Sequence, residues 1–129
     1  MKEVEILIEL EGIGVVQGVL RDDVNPRTYH AFMSNIPFDA NANTWGKEVY
    51  FETPVSTPLE KGKQDVEVGD IGYWPPGKAM CLFFGPTPLS PADKPRAATP
   101  VNVIGRITVN IELLSRVVDG TTIKVRLAE

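Results

Sequence analysis

The run from Val66 to Pro88, VEVGDIGYWPPGKAMCLFFGPTP, constrains the fold more than any other part of this chain. Two strand-length stretches meet at Trp74-Pro75-Pro76-Gly77, and the second leaves through Phe83-Phe84-Gly85-Pro86-Thr87-Pro88. An ordinary strand pair needs only alternating apolar residues and a short turn. The surplus of rigid and aromatic residues here points to a built surface. Trp74 with its two prolines reads either as the stiff wall of a pocket, giving contact area at small entropic cost, or as a hairpin locked by proline, with a cis bond at Pro75 or Pro76 as one means.

Strand signals recur on both sides of this run. Glu3 to Leu10 and Gly14 to Leu20 read as a hairpin turned at Glu11-Gly12, with Val4, Ile6, Ile8 and Leu10 on one face. Asn25 and Pro26 predict a helix start, with Asn25 as cap and Pro26 in the first turn. The helix extends to about Asn35 and presents Tyr29, Phe32, Met33 and Ile36 to a sheet; Pro37 ends it. Trp45–Thr53, Val66–Trp74, Ala79–Phe84, Val101–Asn110 and Thr121–Leu127 complete a set of about seven or eight strands. Proline-rich surface loops are expected at 54–65 and 86–100, with a short helical turn at 111–116. Many short strands with few helices imply a sandwich or a closed barrel.

With 129 residues there is room for one domain spanning 1–129. The net charge of −4 and the scattered basic residues argue against nucleic acid as a partner. No stretch approaches the roughly 18 apolar residues of a membrane span. The charged and apolar residues alternating in MKEVEILIELEG are unlike an export signal. A single cysteine, Cys81, leaves no internal disulfide, so the expected setting is a reducing one, the cytoplasm.

The segments NPRTYHAFMSNIPF, TWGKEVYFETPV and VEVGDIGYWPPGKAMCLFFGPTP, in this order, resemble the small prokaryotic cyclophilin-like family of archaea and bacteria, much of it of unknown function. The resemblance implies a mainly β fold, a closed cyclophilin-like barrel of about eight strands capped by one or two helices. Prolyl isomerases of cyclophilin type carry an arginine shortly before a Phe-Met-x-Gln-Gly-Gly segment, which together hold a twisted prolyl peptide. The comparable strand here reads Trp45-Gly46-Lys47-Glu48-Val49-Tyr50-Phe51-Glu52, with carboxylates where donors are needed, which argues against isomerase activity.

Alternation along that strand puts Glu48, Tyr50 and Glu52 on one face and Val49 and Phe51 on the other, in the core. The polar face is either a solvated outer surface or a site for a cation, an amine or a hydroxylated ligand, with an acid and a base available. In the next run Met80, Leu82 and Phe84 share one face and Cys81 and Phe83 the other; one set fills the barrel and the other covers a helix or lines a cleft. His30, the lone histidine, reads as an ordinary helix residue, and no metal or other cofactor is expected. Asp22 and Asp23 read as structural residues before the helix, and Arg27 can reach an anionic ligand. Gly12-Ile13-Gly14 reads as a turn, and no phosphate loop or hydrolase motif is present.

These residues lead to a small-molecule ligand bound in a cleft of Glu48, Tyr50, Trp74, Met80, Phe84 and Thr87, without prolyl isomerase activity. An enzyme acting on a small amide or urea-like compound is the alternative, on fold analogy alone. A residual isomerase or protein-interaction module is a third class. Pairing into a homodimer stays open, with no interface located by the sequence.

Overall fold

Period-two alternation at the start of the chain sets the layout. A computed structural model describes every residue from Met1 to Glu129. In chain order the elements are β1 (Glu3–Leu10), β2 (Gly14–Arg21), α1 (Pro26–Met33), β3 (Phe38–Asn41), β4 (Asn43–Thr44), β5 (Glu48–Glu52), β6 (Lys63–Asp65), β7 (Asp70–Trp74), β8 (Ala79–Phe83), β9 (Arg96–Val109) and β10 (Thr122–Leu127). Short 3-10 turns occupy Pro75–Gly77 and Ile111–Arg116. The expected hairpin forms with Ile6 opposite Gly18 and Ile8 opposite Val16. Its inward face, Ile6, Ile8 and Leu10, is almost fully buried.

The strands join in the order β3-β10-β1-β2-β9-β7-β8-β5-β4. This ladder of hydrogen bonds is an open path with β3 and β4 at its ends, so the expected closed barrel gives way to a sheet that does not close. The two ends adjoin in the chain through Ala42, whose amide donates to Thr121 O at 2.8 Å and whose carbonyl accepts from Gly120 N at 2.8 Å. Ten strands replace the expected seven or eight, because β3, β4 and β6 span only two to four residues each and show no period of their own.

The main core lies between the sheet and α1. Phe32 and Tyr29 enter it from the helix, with Met33 and Ile36 half-buried at its margin. Phe32 meets Tyr73 edge-on, ring centres 5.6 Å apart, and the Tyr73 hydroxyl donates to Val55 O at 2.8 Å. The helix ends at Met33, two residues before the expected end, and the cis peptide bond of the chain is Ile36-Pro37, not one at Pro75 or Pro76.

Asn25 does not cap α1, contrary to expectation. Its side chain instead donates to Val103 O at 2.9 Å and accepts from Lys61 N at 2.8 Å. The helix amides are met by Glu60, whose carboxylate accepts from Arg27 N at 3.2 Å, Thr28 N at 2.8 Å and Thr28 Oγ1 at 2.6 Å. Asn102 fixes Glu60 in turn, accepting from its backbone amide at 2.8 Å and donating to Thr28 Oγ1 at 2.9 Å. A carboxylate at this end of a helix also complements the helix dipole.

Two segments expected to be loops hold structure that shapes the other side of the sheet. β6 falls within 54–65 and pairs only with β9, and the first residues of β9 fall within 86–100. β9 thus serves two partners on this side: Asn102 to Arg106 pair with β7, whereas Arg96 and Val101 pair with β6. Val66, Ala97 and Val101 are thereby laid over Ala79, Cys81 and Phe83 of β8, forming a second, smaller core. Gly72 permits this approach, since a Cβ there would lie 3.0 Å from Val101 Cγ2.

Candidate functional site

Because β6 and the start of β9 cover this face of the sheet, the polar side of β5 is not a solvated surface. Glu48 is buried and Tyr50 half-buried; only Glu52, at the strand end, is exposed. The register places Glu48 opposite Phe83 and Tyr50 opposite Cys81, and Trp74 of β7 sits across from Ala79. The space left between β5, β7, β8 and the start of β9 is a cleft of about 240 Å³. That is the liquid volume of about eight waters.

Trp45, Tyr50 and Trp74 bring three aromatic side chains to the cleft, and Ala97, Ala98 and Val101 form the wall contributed by β9. Cys81 and Glu48 complete the lining, so Glu48 is its one charged residue. The two indoles are held by local chain geometry. Trp45 and Glu48 close a tight turn, with Trp45 N bonded to Glu48 O at 2.9 Å and Glu48 N to Trp45 O at 3.2 Å. Gly46, at φ +59°, supplies the left-handed residue of that turn and lets Thr87 and Pro88 pack directly on its backbone. Trp74 Nε1 donates to Thr99 Oγ1 at 2.6 Å, and its ring lies over Gly77, where a Cβ would come within 2.7 Å of it.

The Glu48 carboxyl belongs to no salt bridge. Burial pushes its pKa up to about 7, and the neighbouring Cys81 side chain offsets only part of that rise. Near neutrality this carboxyl is divided between the protonated form, which donates, and the ionised form, which only accepts. Burial, then the charge of Glu48, holds the Cys81 thiol well above its ordinary value. The thiol therefore stays protonated and is no nucleophile.

Of the six residues singled out in the sequence, the structure brings Glu48, Tyr50 and Trp74 to the cleft. Met80 is fully buried in the main core on the opposite face of β8, beside Leu82. Phe84 is half-buried against that same core. Thr87 bonds through its hydroxyl to Arg96 O, while Ser90 Oγ accepts from Thr87 N at 2.8 Å and from Arg96 N at 3.1 Å. Thr87 thus ties the Gly85-to-Ser90 loop to the start of β9, behind the cleft wall.

Trp45, Cys81, Ala97, Ala98 and Val101 were missed. Alternation could have found Cys81, which shares the parity opposite to Met80, but nothing local says which parity faces inward. His30 lies exposed on α1, edge-on to Tyr29 with centroids 5.2 Å apart. Asp22 accepts from Lys2 N at 2.7 Å, and Asp23 accepts from Val24 N at 3.0 Å. No group of three His, Cys, Asp or Glu side chains is arranged to hold a metal ion. No helix is long and apolar enough to cross a membrane.

A family model described as cyclophilin-like matches residues 2–126. The chain belongs to the cyclophilin-like family. This cyclophilin-like domain is also similar to the solution structure of the hypothetical protein AF2241 from Archaeoglobus fulgidus, at 43% identity and a TM-score of 0.83. The likeness covers 98% of this chain and 95% of that one, so the two share the whole fold. None of the curated proteins matches.

Proposed function

We propose that this cyclophilin-like domain binds a small organic ligand in the Glu48 cleft and has no prolyl isomerase activity. The observation that carries the reading is a buried carboxyl without an ionic partner, set among three aromatic side chains in a space of about 240 Å³. Ligand sites typically join apolar walls to a few placed polar groups, and an unpaired buried carboxyl without such a purpose is a net loss of stability. Isomerisation needs donors that hold a twisted amide, whereas the cleft offers a carboxyl and has no arginine in its lining. A cytoplasmic setting goes with this reading, since the Cys81 thiol is free.

Both tryptophans of the chain line the cleft, so intrinsic tryptophan emission reports on it. A screen of small metabolites by emission and thermal shift is expected to yield saturable binders, with Trp74→Ala weakening them at least about tenfold. Binders that ignore both Trp74→Ala and Glu48→Gln would place the site elsewhere. A proline-peptide assay is expected to give background isomerisation rates only.

The raised Glu48 pKa favours a second reading, an enzyme that uses this group as general acid or base on a small amide or urea-like substrate. Turnover of such a compound with a pH–rate profile inflecting near about 7, abolished by Glu48→Gln, would support it. Inactivity across an amide panel would remove it.

A further inference from the structure

We propose that the cleft selects a small alkylated ammonium compound, its cationic head seated among Trp45, Tyr50 and Trp74 against the Glu48 carboxylate. This rests on the reading of the cleft as a ligand site and names the ligand class. Three features of the lining carry it.

The first is charge. Glu48 is the one charged residue of the cleft, and no lysine or arginine lines it, so an anion would meet repulsion without a compensating positive charge. The second is the form of the polar contacts on offer. The Trp74 indole N–H is already bonded to Thr99 Oγ1 at 2.6 Å, which leaves that side chain to act through its ring. Aromatic faces attract cations by their quadrupole, most strongly when the cation is desolvated, and alkylated ammonium heads suit such rings because they carry charge without demanding hydrogen bonds. The third is shape. Ala97, Ala98 and Val101 make an apolar wall suited to methyl groups, in a space equal to about eight waters.

A cation of this class also removes the tension at Glu48. The carboxyl is buried with no ion pair, and a quaternary ammonium cannot supply it with a proton. Binding therefore draws on the ionised form and strengthens as pH rises through about 7. The titratable groups facing Glu48 are Tyr50 from β5 and Cys81 from β8; the lining from β7, from β9 and from the turn before β5, namely Trp74, Ala97, Ala98, Val101 and Trp45, carries no charge. The thiol is held in its protonated form, which leaves Glu48 as the group that titrates near neutrality.

The test uses the whole chain and follows tryptophan emission and the two indole N–H resonances. Choline and tetramethylammonium chloride are titrated against potassium chloride at matched ionic strength. The uncharged carbon isostere of choline, 3,3-dimethylbutan-1-ol, is the comparison. Choline is expected to bind at least about tenfold more tightly than its isostere. Its affinity is expected to fall several-fold between about pH 8 and about pH 6, and at least about tenfold in Glu48→Gln. Glu52→Gln, on the exposed end of the same strand, is expected to leave it unchanged.

Equal binding of choline and its isostere overturns the ammonium assignment, and this comparison needs no variant to fold. Failure of every alkylated ammonium probe, alongside saturable shifts of the indole signals by neutral amides or alcohols, overturns it too and leaves the cleft standing as a ligand site. Silence from all probes, charged and neutral, removes both readings.

Discussion

At Glu48 one side chain couples the site to the stability of the fold. An unfolded glutamate titrates near 4.5, whereas burial sets this one at about 7. The native state thus holds the proton more tightly, and the contribution of this group to stability is fully present below about 4.5 and lost as pH rises through about 7. The penalty on the ionised form is about 3 kcal/mol. Glu48→Gln keeps the shape and hydrogen-bonding capacity of the protonated acid without the option to ionise. It should match the parent in urea unfolding at about pH 4.5 and exceed it by about 1 to 3 kcal/mol at about pH 8.5. A stability offset that is the same at both pH values would show that burial does not raise this carboxyl. Under the proposed function such a residue fits a trade of stability for binding, since the group that weakens the fold at alkaline pH is the one the proposed ligand would meet.

At the scale of elements, what the sequence reveals depends on whether an element's partners are local. The hairpin of β1 and β2, the face of α1 and the β7–β8 pair around Pro75-Pro76 are all set by alternation and turn residues within one stretch. Met80 and Cys81 show where this stops: alternation separates them onto two faces, but only the layer formed by β6 and the start of β9, remote in sequence, decides that Met80 enters the main core and Cys81 the cleft. The start of α1 is similar. Asn25 carries the local signature of a cap, yet a distant glutamate takes the role and Asn25 braces the loop that carries it.

Burial alone would raise the Glu60 carboxyl. Hydrogen bonds from the Thr28 hydroxyl and from the Thr28 and Arg27 amides, with the charge of Arg27, outweigh it and hold the group below its usual range. Its contribution is therefore present above the ordinary glutamate value and lost as pH falls through the lowered one, the reverse of Glu48. Glu60→Ala should cost about 1 to 3 kcal/mol at neutral pH, by freeing helix amides and the Thr28 hydroxyl, and Glu60→Gln less because one acceptor oxygen remains. Urea midpoints at about pH 7 and about pH 3 check both statements; a loss that persists undiminished in acid would assign the effect to packing, not to the cap.

For the whole molecule, the two cores differ in size and in how they are secured. The main core joins twenty-one buried residues from both halves of the chain, whereas the second joins six. The layer above that second core is tied at its margins: β6 pairs only with β9, Gln64 Nε2 donates to Ala97 O at 2.9 Å, Thr87 Oγ1 to Arg96 O and Trp74 Nε1 to Thr99 Oγ1, Val66 N reaches Pro95 O at 3.2 Å, and Arg96 Nε meets Asp65 Oδ1 at 2.7 Å on the surface. Exposed ion pairs of this kind contribute little. Regions with few buried apolar contacts open locally before the molecule unfolds. The wall of the cleft belongs to this layer, so the proposed ligand would enter by its opening, without disturbance of β1, β2 or β10. In native-state hydrogen exchange, protected amides of β6 and of residues 96–101 should therefore open at free energies at least about 2 kcal/mol below those of β1, β2 and β10. Saturating choline should narrow that gap by slowing the first set while adding less protection to the second. Uniform exchange across both sets would mean that the two cores unfold as one unit and that ligand entry needs a different route.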